Sequence, residues 1–381
     1  MAAPGPLPPL GLYVHLPWCT RKCPYCDFNS HAAADFPESA YLAALLADLD
    51  EERARIGARS IETVFIGGGT PSLFSVAAVE ALLVGIRARV ELALDCEITL
   101  EANPGSADAD RFAGYRAAGV NRLSIGVQSF DDGALERIGR IHDAAAAHRA
   151  VEKAQVAGFE RINIDLMYGL PGQTCQAALA DVRGALDHGA SHVSHYELTI
   201  EPNTLFHRSP PPRPDEDLLW GMHVASVAQL ESAGLERYEI SAYARPGERC
   251  RHNLNYWRFG DYVGIGAGAH GKLTVGPGAI ERRAKTRNPR SYLAAAGTPA
   301  ALHIERIGEQ SALTTEFLMN ALRLVDGVPA DLLQARTQQT LDSIDRGLAA
   351  SRERGWMDPD PQRLRATPAG LQSLNRLLAL I

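Results

Sequence analysis

The chain has 381 residues, 46% hydrophobic and 22% charged, and its 38 basic and 45 acidic residues leave a net charge of −7. That is ordinary globular composition at more than single-domain length, so one large barrel with a smaller domain is the expected division. The acidic balance speaks against a nucleic-acid partner, and no apolar run reaches the length of a membrane span, which leaves peripheral membrane contact compatible with the sequence.

Residues 1–9 are proline-rich without a positive n-region, so they read as a tail and not as a secretion signal. The run Leu12–Leu16 reads as the first strand. It leads into C-T-R-K-C-P-Y-C, which places Cys19, Cys23 and Cys26 within eight residues. Three such thiolates cannot all pair as disulfides, but they suit an iron–sulfur cluster, which thiolates hold and which usually takes four. Three ligands on four irons leave one iron open. Two other readings stand beside this one. Structural zinc could take His31 as a fourth ligand, although zinc normally binds two spaced pairs. Cys23-Pro24 could serve as a haem ligand, which explains one cysteine where the cluster explains three. The C-x3-C-x2-C spacing closely resembles the signature of the radical S-adenosylmethionine (SAM) enzymes. That resemblance implies that the amino and carboxylate groups of SAM chelate the open iron. One electron then breaks a carbon–sulfur bond to give a 5′-deoxyadenosyl radical.

Helical and strand-like segments alternate from here to about residue 245. The strands are expected at Thr63–Ile66, Glu97–Glu101, Leu123–Gln128, Ile162–Met167 and His192–Thr199. Amphipathic stretches such as Ala40–Ile56, Val76–Val90 and Cys175–Asp187 lie between them. Six β–α units imply an incomplete (β/α) barrel with functional residues at the C-terminal ends of its strands. Gly67-Gly68-Gly69-Thr70-Pro71 follows the second strand. Its glycines allow close backbone approach to a ligand and exposure of N–H groups, although tight strand–helix turns use glycine too. Glu101, Gln128 and Asp165 fall at or near strand ends. Each alone reads equally as a locally satisfied polar group, but together, above a cysteine loop, they point to one rim. Arg140, in L-E-R-I-G-R-I-H, has a solvated helix face as its competing reading. Cys96, Cys175 and Cys250 are scattered singly, which implies a reducing cytoplasm and no disulfide framework.

After residue 245 the composition shifts. R-C-R-H-N-L-N-Y-W-R-F-G-D-Y is rich in aromatic and basic residues, and Y-V-G-I-G-A-G-A-H-G reads as a strand pair with a glycine turn. Helices are expected at Thr315–Leu324, Leu332–Ala335, Leu341–Arg352 and Leu371–Leu380. Gly355–Met357 and Leu364–Ala366 read as short strands of a wing, and without a basic face such a winged-helix-like module reads as a lid.

Taken together, L-Y-V-H-L-P-W-C, K-C-P-Y-C-D-F-N-S-H, F-I-G-G-G-T-P-S-L, E-A-N-P-G, S-I-G-V-Q-S-F, L-M-Y-G-L-P-G-Q, L-T-I-E-P-N-T and H-N-L-N-Y-W resemble one family. It is the radical SAM proteins related to oxygen-independent coproporphyrinogen III oxidase, and within them the haem chaperone branch. The resemblance implies that Cys19, Cys23 and Cys26 bind a [4Fe-4S] cluster. It also implies that Tyr13, Tyr25, Gly68, Gly69, Thr70, Glu101, Gln128, Arg140 and Asp165 surround SAM. Those residue types suit such roles, since Arg140 can fork onto a carboxylate and Glu101 can answer an ammonium or sulfonium charge. The oxidases carry a further cysteine two residues past the third ligand, where this chain has Phe28. That departure puts coproporphyrinogen decarboxylation in doubt.

On the haem side, His252 in the H-N-x-x-Y-W stretch is the candidate ligand, with Tyr256 and Trp257 as shielding aromatics; a structural histidine is the competing reading. Cys250 reads as an inert thiol, and His15, His142, His195 and His270 read as packing or hydrogen-bonding residues. The expectation is therefore an α/β protein with a partial (β/α)6 radical SAM barrel over residues 10–245 and a small, mainly helical, winged-helix-like domain over 246–381. It is expected to act in the cytoplasm as a haem chaperone for acceptor haemoproteins. An electron donor such as a flavodoxin or ferredoxin fits the same reading. The alternative is the oxidative decarboxylation of coproporphyrinogen.

Overall fold

The computed structural model describes residues 7–307 and 310–381, so most of the proline-rich tail read over residues 1–9 lies outside the described residues. The first strand, β1 (Leu10–Leu16), is buried on both faces, as a strand flanked by helices must be. After the cysteine loop come α1 (Glu38–Ile56), β2 (Ile61–Gly68), α2 (Val76–Arg87), β3 (Leu92–Ala102) and α3 (Phe112–Ala118). The series continues with β4 (Arg122–Gln128), α4 (Ala144–Val156), β5 (Arg161–Tyr168), α5 (Cys175–Asp187), β6 (His192–Glu197) and α6 (Glu216–Ser232). Local chemistry starts the helices: Ser75, Asp143, Thr174 and Asp215 each accept the N–H three residues on, removing an orphan donor from the first turn.

Strands β1 to β6 pair in parallel and in sequence order, each with the next, which is the expected partial barrel. Two further segments widen the sheet. The short strands β7 (Glu236–Glu239) and β8 (Ala242–Ala244) add antiparallel strands beyond β6. On the other side, β9 (Asp261–Ile265) lies parallel to β1, with Leu10 opposite Asp261 and Val14 opposite Ile265. The antiparallel strands β10 (His270–Gly276), β11 (Ala279–Lys285) and β12 (Leu302–Ile307) follow it outward. The glycine-rich pair read from the sequence is β9 and β10, turned at Gly266 and Gly268, both at positive φ.

A short helix, α7 (Arg251–Trp257), crosses between β8 and β9. The C-terminal part then forms α8 (Gln310–Ala321), α9 (Asp331–Thr337) and α10 (Asp345–Glu353) around a second core built on Phe259, Phe317, Leu322, Leu333 and Leu348. The wing is present, but its strands pair differently from a simple hairpin. Leu364 lies opposite Val328, and Met357 bridges Ala366.

One buried ionic cluster ties α1 to β11. Lys285 Nζ bonds the Glu52 carboxylate at 2.6 Å and also pairs with Asp48. Arg283 meets Glu52 at 3.0 Å, and the Tyr292 hydroxyl donates to Asp48 at 2.7 Å. Burial pushes the Asp48 carboxyl upward, against the pull of Lys285. Charges taken out of water stabilise only while every partner is present. Lys285→Ala should therefore lower unfolding free energy by about 3–5 kcal/mol. Arg306→Ala, with a side chain 79% exposed, should cost under about 1 kcal/mol in the same urea titration.

Candidate functional site

The C-terminal ends of β1 to β6 meet around a cavity of about 290 Å³. Cys19, Cys23 and Cys26 line one wall as free thiols. A turn closed by the Cys26 N–H on the Cys23 carbonyl shapes their loop. Burial raises the Cys19 thiol, with Thr70 hydrogen-bonded to it and Cys23 and Cys26 near enough to add repulsion. Among the described residues no three His, Cys, Asp or Glu side chains converge as a single-ion site requires. A cluster places its thiolates on separate irons and asks for less convergence. The donor set on this wall fits the cluster.

The glycine loop is locked to the cysteine loop. The Gly69 N–H bonds the Leu16 carbonyl and the Thr70 N–H bonds the Trp18 carbonyl, both at 2.8 Å. Gly68 sits at φ +119°, where a Cβ would lie 2.7 Å from the His15 ring, and a Cβ on Gly69 would lie 2.5 Å from the Trp18 carbonyl oxygen. The glycines are required by this close approach. The expectation that the loop offers its N–H groups to a ligand is corrected here. The Gly68 N–H bonds the Glu101 carboxylate at 3.1 Å, and the next two amides hold the cysteine loop.

Glu101, Gln128, Arg140 and Asp165 reach the same cavity, as do Tyr25, Gly68, Gly69 and Thr70. Burial, and then the neighbouring Asp165, push the Glu101 carboxyl up to about 7. Asp165 is raised by burial too, while Asn163 at 2.7 Å and Ser124 at 3.1 Å donate to it. Gln128 takes a left-handed φ of 70° and accepts from the Tyr196 hydroxyl at 2.8 Å. Strain of that kind in a non-glycine residue collects at functional sites. Arg140 is no solvated helix residue. Its Nη2 donates to Asn103 and to the Gly126 carbonyl, its Nη1 lies 3.7 Å from Cys23 Sγ, and its buried Nε has no partner among the described residues. A guanidinium fork in the cavity lining suits a carboxylate.

Tyr13 stands just outside this cavity and lines an adjoining one of about 320 Å³, which shares Gly68 and Glu101 with it. Its hydroxyl bonds His15 Nδ1 at 2.9 Å, and His15 Nε2 bonds the Asn29 carbonyl at 2.9 Å. Burial lowers the His15 imidazole, so the ring is neutral and passes the hydrogen bond on to the cysteine loop. His270 and Phe28 line this second cavity, and Phe28 is 61% exposed. Sequence reasoning missed Asn103, Ser124, Ser194 and Tyr196, all on the main cavity wall. Strand alternation was the available signal, since Ser124 shares a face with Gln128, and Ser194 with Tyr196.

His252 is elsewhere. Its ring is 1% exposed, stacked on Phe65, with Nδ1 bonded to Thr63 at 2.8 Å and Nε2 to Tyr256 at 2.9 Å. Thr63 stands five residues before Gly68 on β2, so His252 sits deeper in the barrel than the rim, with Phe65 between it and Tyr13. Glu97 secures the helix there by accepting the N–H groups of Arg251 and His252. Burial pushes this imidazole down to about 3, so it is neutral, but both nitrogens are engaged. Ligation of iron by His252 would require this packing to open.

The radical SAM superfamily domain matches residues 13–181, and the HemN C-terminal domain matches residues 311–372. The heme chaperone HemW of Escherichia coli (strain K12) is 48% identical over 375 residues, covering 98% of both chains. HemW of Haemophilus influenzae is 45% identical over 379 residues, again covering 98% of each. The mitochondrial radical S-adenosyl methionine domain-containing protein 1 of Mus musculus is 40% identical over 289 residues, 74% of this chain and 65% of that protein. Among solved structures, coproporphyrinogen III oxidase (HemN) from Escherichia coli, a radical SAM enzyme, superposes with a TM-score of 0.83. It is 21% identical, with 99% of this chain and 91% of that chain covered, a likeness of fold alone.

The rim electrostatics give a test. Glu101 is ionised above about pH 7, so the affinity of reconstituted protein for the cationic ligand SAM should rise several-fold from about pH 6 to about pH 8. In Glu101→Gln the affinity should be weaker and flat over that range, as measured by calorimetric titration.

Proposed function

Because this chain belongs to the HemW family, we propose that it is a haem chaperone, which binds haem and hands it to acceptor haemoproteins while carrying a SAM-coordinated [4Fe-4S] cluster. The observation that carries this reading is near-complete coverage at 48% identity with a heme chaperone, against 21% with an oxidase of the same fold. Phe28, exposed at the lip of both rim cavities, stands where the resemblance places a further cysteine in the oxidases.

Cys19, Cys23 and Cys26 would hold the cluster. When bound, the cluster supplies one-electron chemistry to the sulfonium of SAM. The chain's own residues orient the ligand. Arg140 offers its guanidinium to the methionine carboxylate, Glu101 answers the positive charge, and Asp165 with Gln128 faces the ribose hydroxyls. Thr70 and the neighbouring glycines give the methionine end a close wall, Tyr25 covers the adenine side, and Tyr13 supports that wall through His15. A small electron-transfer protein such as a flavodoxin or ferredoxin is the fitting reductant. Six free thiols fit the cytoplasm, and no helix among the described residues is long and apolar enough to cross a membrane.

Paired assays on anaerobically reconstituted protein test the reading. Added haemin should give a new Soret band, with affinity on the order of tenfold or more above an unrelated protein of similar size. The bound haem should pass to an apo-acceptor. Coproporphyrinogen, SAM and a reductant should give no vinyl product; decarboxylation without haem transfer would replace this reading with the oxidase one.

A further inference from the structure

A cavity of about 700 Å³ opens on the outer face of the barrel, between α6, the ends of β5 and β6, and the C-terminal domain. It lies within the range of roughly 300–1,000 Å³ typical of small-molecule sites. The two rim cavities are smaller and face the cluster and SAM residues, while the one beside Thr63 measures about 130 Å³. Of these cavities among the described residues, the outer one has room for a macrocycle with its own ligand.

Its walls combine apolar surface, an imidazole and two guanidinium groups with three carboxylates. Leu219, Val227, Val325 and Leu371 supply apolar surface, and Trp220, 47% exposed, stands at the lip. His223 is at the centre of the α6 face. Its Nδ1 lies 3.4 Å from the Tyr168 hydroxyl, and its Nε2 has no partner among the described residues. An iron-binding imidazole is usually oriented in this way, by a hydrogen bond at the nitrogen that does not bind the metal. Burial, and then Arg237, push this imidazole down to about 4, so its lone pair is free at neutral pH.

Arg213 and Arg237 also line the cavity. Their guanidinium groups donate only to backbone carbonyls, of Leu198 for Arg213 and of Glu239 and Ile240 for Arg237, with no ion pair among the described residues. Glu216 and Glu231 stand about two helical turns to either side of His223, at the ends of the same face, and Glu197 completes the polar lining.

We propose that this outer cavity is the haem cargo site, with His223 Nε2 as axial ligand to the iron and Arg213 and Arg237 pairing the two propionates. This deepens the chaperone reading and rests on it.

The test is a haemin titration of full-length, anaerobically reconstituted wild type, His223→Ala, Arg213→Glu and His252→Ala, followed by absorbance and low-temperature electron paramagnetic resonance. His223→Ala should weaken binding on the order of 10–100-fold and lose the nitrogen-ligated signature, which added imidazole should restore. Arg213→Glu, an exposed change at the lip, should weaken binding several-fold without altering that signature. The signature should persist in His252→Ala. Unaltered affinity and spectra in both His223→Ala and Arg213→Glu would overturn the assignment while leaving the chaperone reading intact. Failure of wild type to bind haemin would overturn the chaperone reading and this site with it.

Discussion

Two backbone hydrogen bonds, from Gly69 to the Leu16 carbonyl and from Thr70 to the Trp18 carbonyl, fix the distance between the cysteine loop and the rest of the rim. They form only because residues 68 and 69 lack a Cβ, as the short approaches to His15 and Trp18 show. Everything that the three cysteines face follows from this contact. The Gly68 amide turns to Glu101, the Thr70 hydroxyl meets Asn103, and Asn103 in turn holds Arg140. A chain of four bonded residues therefore sets where a guanidinium stands relative to Cys23. Loss of the glycine contact would move the cysteines and the arginine together, because they share one support.

Charge at this rim is concentrated on partly buried side chains. Glu101 and Asp165 repel across an apolar strand end, and Arg140 is the nearby cation, held by carbonyl oxygens as well as by sulfur. Two acids and one base in low dielectric favour a ligand that brings a positive centre and a carboxylate at once. The asymmetry also explains the hydrogen bonds spent on Asp165. Asn163 and Ser124 hold it as an acceptor, whereas Glu101 has one backbone donor and is pushed up to about 7.

Much of the barrel was legible because its strands are short apolar runs with polar residues at one end. All six expected strands lie in observed ones, although His192–Thr199 overshoots the β6 end at Glu197. The rim residues read as a set for the same reason. What the sequence concealed was long-range. Nothing local says that Asp261–Ile265 returns to lie parallel to β1, because a parallel partner 250 residues away leaves no turn signal. The amides of the glycine loop were misread because their partners, the Glu101 carboxylate and the Leu16 and Trp18 carbonyls, come from segments distant in sequence. His252 looked available beside aromatic residues, yet those residues enclose it: Tyr256 takes one nitrogen, and Phe65, from β2, covers the ring.

Alternation along β5 and β6 places two different environments back to back. Asp165 and Tyr196 face the cluster cavity, while Tyr168 and Glu197 face the outer one. Asp165 and Tyr168 are three residues apart, about 10 Å of extended chain. The far wall of the outer cavity comes from Val325, Pro368 and Leu371, within the segment that matches the HemN C-terminal domain. The same two strand backbones therefore carry residues of both cavities, and in a close-packed sheet the side chains on one face constrain the packing open to the other.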